Sequence, residues 1–141
     1  MKFLLATFLT LLLATSSQLN AEQMQQLGQW DVHYIAFPAP ILTPEIAKQY
    51  RIQRSKYNAV INISVLDSES KQAQKLDISG IAKDFQGRQI ALSFTEVVEG
   101  DAVYYLAQLP FTDQQLFDFT LTLNQKNTLQ QLKFKQRFYV D

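Results

Sequence analysis

The stretch LTPEIAKQYRIQRSKYNAVINISVL, residues 42–66, decides how the chain is read, because a helix start, a basic cluster and a clean strand follow one another in it. Thr43 is a good N-cap, Pro44 suits the first helical position, and Glu45 favours the positive end of the helix dipole. Ile46, Ala47 and Tyr50 then recur at helical spacing. Two turns of helix do not persist alone in water, so this one is predicted to pack on a sheet. From residue 57 the period changes to two. Ala59, Ile61, Ile63 and Val65 fall on one face, and Asn58, Val60, Asn62 and Ser64 on the other. Between helix and strand lies a loop with Arg51, Arg54 and Lys56.

Before this stretch, residues 30–37 alternate as a strand, with Trp30, Val32, Tyr34 and Ala36 on one face and Asp31, His33 and Ile35 on the other. Pro38 and Pro40 end it, since neither donates to a ladder. The polar, Gln-rich residues 22–29 read as a mobile lead-in.

After it, strands are predicted at 75–83, 89–99, 102–109, 116–123 and in the closing segment. The strand at 75–83 turns Leu76 and Ile78 inward, and Gly80 in its middle signals a bulge or a close contact. Ile90, Leu92 and Phe94 are the buried side of 89–99. The segment 102–109 is apolar on both faces and belongs inside a sheet. Phe117, Phe119, Leu121 and Leu123 share one face, as do Leu132, Phe134, Phe138 and Val140. Gln136 falls on that same inward face, so its amide needs hydrogen-bond partners.

About seven strands joined by short turns, with one short helix between the first two, predict an all-β fold: an antiparallel, immunoglobulin-like β-sandwich. A small closed barrel is the alternative. The chain has 141 residues, 47% of them hydrophobic and 18% charged, which fits one globular domain, 22–141. Thirteen Lys+Arg against 13 Asp+Glu leave no net charge, so no bulk attraction to nucleic acid or to an anionic bilayer is expected.

Residues 1–21 read as a secretory signal peptide. Lys2 precedes an apolar run at 3–14 that is too short to span a bilayer, and Leu19-Asn20-Ala21 supplies a cleavage site near Ala21. The predicted address is the periplasm, with no stable membrane insertion after cleavage. The chain has no cysteine and one histidine. An exported domain without disulfides depends on its core, and about 120 residues suffice for one. Scarcity of Cys and His argues against zinc or copper, and no cofactor is expected.

LTPEIAKQYRIQRSKYN followed by NISVLD, together with residues 30–37 (WDVHYIAF), Tyr104-Tyr105-Leu106-Ala107 and the closing LKFKQRFYVD, resembles a family of small exported γ-proteobacterial proteins of unknown function, DUF4426. The resemblance covers almost all of the mature chain and implies a periplasmic address and one β-sandwich domain. It brings no activity and no catalytic residues. Where it leads one to expect Tyr-Gly-Ile, this chain has Tyr50-Arg51-Ile52, and a Gly there would serve as a helix C-cap.

Arg51, Arg54, Ser55, Lys56 and Tyr57 are the candidate binding residues, since Arg presents a planar fork of donors suited to carboxylates and other anions. The plain alternative is a solvated loop whose charges pair with Glu45, Asp67 or Glu69. The first functional reading is a non-catalytic periplasmic module that binds a protein or a small anionic ligand through residues 45–58. The others are a hydrolytic or metal-assisted enzyme around Asp31 and His33, and a purely structural envelope protein. No G-x-S-x-G elbow supports the enzyme. The acidic turns at 67–69 and 99–101 are too short to supply the six to eight oxygens that calcium takes (roughly that number).

Overall fold

The computed structural model describes residues 22–140. The signal peptide expected at residues 1–21 lies outside them. Nine strands follow one another: β1 (Gln23–Leu27), β2 (Trp30–Pro38), β3 (Asn58–Asp67), β4 (Asp77–Asp84), β5 (Gln89–Leu92), β6 (Thr95–Glu99), β7 (Ala102–Pro110), β8 (Gln115–Gln125) and β9 (Thr128–Phe138). A 3-10 turn (Ala39–Ile41) and helix α1 (Pro44–Gln49) occupy the connection from β2 to β3. All pairings are antiparallel, in a five-stranded sheet ordered β1-β2-β3-β7-β6 and a four-stranded one ordered β5-β4-β8-β9. The two layers are the β-sandwich that the alternation predicts.

Two differences account for nine strands where about seven were expected. Residues 22–29 are not a free lead-in. Leu27 pairs with Trp30 across a two-residue loop, and Gly28 takes φ 60 there, as the primed hairpin turns require of their first central residue. The Gln25 amide then donates to the Tyr34 hydroxyl and to the Lys133 carbonyl, both at 3.1 Å, which ties β1 to β9 at the sandwich edge. The segment 89–99 is two strands in different sheets: β5 pairs with β4, and β6 pairs with β7. Ile90, Leu92 and Phe94 keep a period of two up to the crossing and exposed Thr95 and Glu96 break it there, but a period of two does not say which sheet a strand joins.

The core lies between the sheets. Val32, Ile61, Ile63 and Val65 come from the first sheet, and Phe117, Phe119, Leu121 and Leu123 from the second, all essentially without solvent contact. Phe119 stacks on Phe134 with centroids 4.6 Å apart, and Phe138 meets Phe119 edge-on at 6.3 Å. Phe94 is only half buried, but it packs against this cluster. Gln136 finds the partner its position demands: its amide donates to the Ala36 carbonyl at 2.7 Å, from one sheet to the other.

The turns are held by carboxylates. Asp84, nearly buried, accepts the backbone N–H of Gln86 at 3.0 Å and of Arg88 at 2.8 Å, closing the β4–β5 hairpin. Asp67 accepts those of Ser70 at 2.9 Å and Glu69 at 3.0 Å, and these bonds hold its carboxyl below the usual carboxylate value. In both turns one carboxylate oxygen is tied to the turn's own backbone.

Candidate functional site

α1 begins and ends as its sequence dictates. The Thr43 hydroxyl accepts the Ile46 N–H at 3.3 Å, and Pro44 and Glu45 fill the first turn. At the other end the Ile52 N–H reaches the Ala47 carbonyl at 2.7 Å and the Arg51 N–H reaches Lys48 at 3.3 Å, a Schellman closure. That closure places Arg51 at φ 58. The position needs a left-handed residue, which explains why a glycine is expected there. Arg51→Gly is therefore expected to stabilise the domain by roughly 0.5–1 kcal/mol, read as a higher urea midpoint at unchanged slope.

α1 does not join the main core. Ala47 and Ile52 pack with Ala39 and Val60 in a second, smaller cluster on the outer face of the first sheet, with Phe37, Leu42, Tyr50 and Leu106 around it. Beside this cluster runs a groove of about 400 Å³. Its floor is the outer face of β2, β3, β7 and β6 (Ile35, Asn62, Leu106, Val97), and its wall is α1 with Ile46 and Tyr50. The volume is that of a small-molecule site.

Three polar groups stand in this apolar setting. Asn62 pairs in register with Ile35 on one side and Leu106 on the other, so its amide has hydrocarbon for neighbours. Its Oδ1 is buried without a hydrogen-bond partner, the one such side-chain atom among the described residues. The Tyr50 hydroxyl donates to Glu99 Oε1, joining the end of α1 to the end of β6 across the rim. That hydrogen bond holds the phenol in its protonated form, raising its pKa above the ordinary tyrosine value. Glu22 also lines the groove, and its carboxylate lies 3.5 Å from His33 Nδ1.

The predicted basic cluster takes a different shape. Arg54 is exposed, yet its guanidinium is engaged: Nε donates to the Leu42 carbonyl at 2.8 Å and Nη2 to Pro40 at 3.2 Å. It ties the loop to the segment before α1, so its replacement removes two structural hydrogen bonds. Ser55 Oγ accepts the Tyr57 N–H at 3.1 Å, and Lys56 Nζ sits 5.4 Å from the Tyr57 ring centroid. Arg51 projects from the positive-φ corner. None of the ion pairs among the described residues involves Arg51, Arg54 or Lys56, and the expected pairing with Glu45, Asp67 or Glu69 does not form. The loop is sewn down instead by Asn58, whose amide donates to Gln53 O at 2.8 Å and Gln108 Oε1 at 2.9 Å.

Asp31 and His33 share a strand face but not a network. Asp31 is buried and pairs with Lys71 Nζ at 2.7 Å, while His33 has Glu22. Ser64 stands opposite His33 on β3, and no hydrogen bond joins them among the described residues. Sequence reading missed Tyr50, Glu99 and Glu22 as a group, because they are brought together from a helix end, a strand end and the start of the first hairpin. The legible signal was Asn62, an amide on the mixed face of an otherwise apolar strand.

Fold and groove together define a class: a two-layer antiparallel β-sandwich that carries a helix-walled groove on the outer face of one sheet. The chain belongs to the DUF4426 family, whose profile, described as Domain of unknown function (DUF4426), matches residues 24–141. The crystal structure of a DUF4426 family protein from Pseudomonas aeruginosa PAO1 is 33% identical, with TM-score 0.75, over 85% of this chain and 96% of that one. Two structures of FetP from uropathogenic Escherichia coli strain F11 share the fold at 11% identity. A copper-bound variant gives TM-score 0.58 over 84% of this chain and 95% of that one. The as-isolated protein, expressed in the E. coli periplasm, gives 0.54 over 84% and 92%. No curated protein matches the sequence. Among the described residues no helix is long and apolar enough to cross a membrane.

Proposed function

We propose that this protein is a periplasmic, non-catalytic binding module whose ligand surface is α1 together with the groove beneath it. The expected signal peptide supports the address. The observation that carries the binding reading is Asn62, a buried amide oxygen with no partner on the floor of an apolar groove. Leaving such a group unpaired costs roughly 1–3 kcal/mol, so folding alone gives no reason for it and a ligand donor does. The basic loop edges this surface as its support, with Arg54 holding the segment that leads into α1. Copper, seen in one FetP structure, is not carried over: no three His, Cys, Asp or Glu side chains among the described residues are grouped to hold a metal.

Two variants test this reading. Asn62→Leu is expected to raise stability by about 1 kcal/mol in thermal unfolding, because it removes an unpaired amide from an apolar site. Leu106→Trp is expected to fill the groove and abolish the emission gain of N-phenyl-1-naphthylamine, an uncharged dye that brightens in apolar surroundings. A wild-type protein that leaves the dye dark, or Asn62→Leu unfolding at lower temperature, overturns the assignment.

A further inference from the structure

The geometry points to a ligand of one chemical class: a small amphiphilic amine, an apolar chain or ring that ends in a positively charged nitrogen. This rests on the binding reading above and sharpens it. The charged side chains lining the groove are Glu22 and Glu99, and no Lys or Arg lines it. The two acids come from opposite ends of the chain's fold, one before β1 and one at the end of β6, so they are not a single acidic turn. Glu99 gives one carboxylate oxygen to the Tyr50 hydroxyl, which leaves its second oxygen for an incoming donor.

The third polar group asks for the same chemistry. Asn62 Oδ1 is an acceptor without a donor, and the terminal torsion of an Asn side chain is soft enough to swing it toward the groove. An ammonium group offers three donors and no acceptor, so it suits the free oxygen of Glu99. Glu22 stands at the opposite edge of the sheet and faces His33 Nδ1, so it adds negative charge to the groove without touching the ammonium nitrogen. A carboxylate or phosphate ligand meets like charge at both rims. An uncharged ligand fills the apolar floor but leaves the acids unused. The expected preference is thus the reverse of the anionic ligand that the basic loop suggested.

Displacement of N-phenyl-1-naphthylamine by decylamine, decanol and decanoate tests this, each below the concentration at which it forms micelles. Decylamine is expected to displace the dye at roughly tenfold lower concentration than decanol, with decanoate weakest. Glu99→Gln keeps an acceptor for Tyr50 and removes the charge, so it is expected to erase most of the amine's advantage over decanol. Equal displacement by all three, or an advantage untouched by Glu99→Gln with Glu22→Gln, overturns the amine assignment while the groove stands. A dye that never binds the wild type removes the groove itself, so the two failures are told apart.

Discussion

Replacing Phe119 with alanine is expected to remove roughly 3–5 kcal/mol of folding stability, a large part of the 5–15 kcal/mol that a domain of this kind has (roughly). Phe119 has 1% of its surface exposed and sits where Phe134, Phe117 and Phe138 meet, with ring centroids 4.6, 6.1 and 6.3 Å away. Removing the ring empties the centre of the second sheet's inner face. The neighbours are on strands fixed by their ladders, so the gap closes only in part. No disulfide makes up the loss, because the chain has no cysteine. Thermal unfolding is expected to move down by roughly 10–20 °C. A shift of only a few degrees would mean that the aromatic cluster is not where stability is concentrated.

The second large effect comes from adding a single carbon. Gly80 lies opposite Leu121 across β4 and β8, and a Cβ built on it would stand 2.3 Å from Leu121 Cδ2. Its backbone is not in the left-handed region, so the demand for glycine is one of space. Leu121 is fully buried, so its side chain moves only by displacing packed neighbours. Gly80→Ala is expected to cost about 2–3 kcal/mol through forced displacement of a packed side chain. Adding Leu121→Val should recover part of it, in a double-mutant cycle by urea unfolding. A purely additive pair would show that the glycine is there for some other reason.

These two positions also show how much of the fold was legible. Both follow from period-two alternation and from a glycine out of place in it. The faces of β2, β3, β8 and β9 read correctly from the same pattern, as did the cap and first turn of α1. What alternation could not show is which sheet a strand joins. Residues 89–99 lose their rhythm at Thr95 and Glu96, yet nothing in it names the new sheet, because the rhythm records in-versus-out and not the identity of the neighbour. β1 was hidden for a related reason: its inward positions are Gln23, Gln25 and Leu27, and two of the three are amides at a sandwich edge.

The candidate site was legible only in part. Charge drew attention to Arg51, Arg54 and Lys56, yet Arg54 spends its donors on carbonyls of its own chain. A guanidinium in a sequence looks the same whether its partner is a ligand or a backbone oxygen.

The sequence by itself determined the secondary structure of the central stretch, the inward face of most strands and the membership of one family. These are properties of neighbours in the chain, set by steric and solvent preferences that act over a few residues. Only the tertiary structure decided the groove. Glu22, Tyr50, Asn62 and Glu99 lie far apart in the chain and converge because α1 must cover its apolar side somewhere. It does so on the outer face of the first sheet, and the chemistry at its rim is a consequence of that packing.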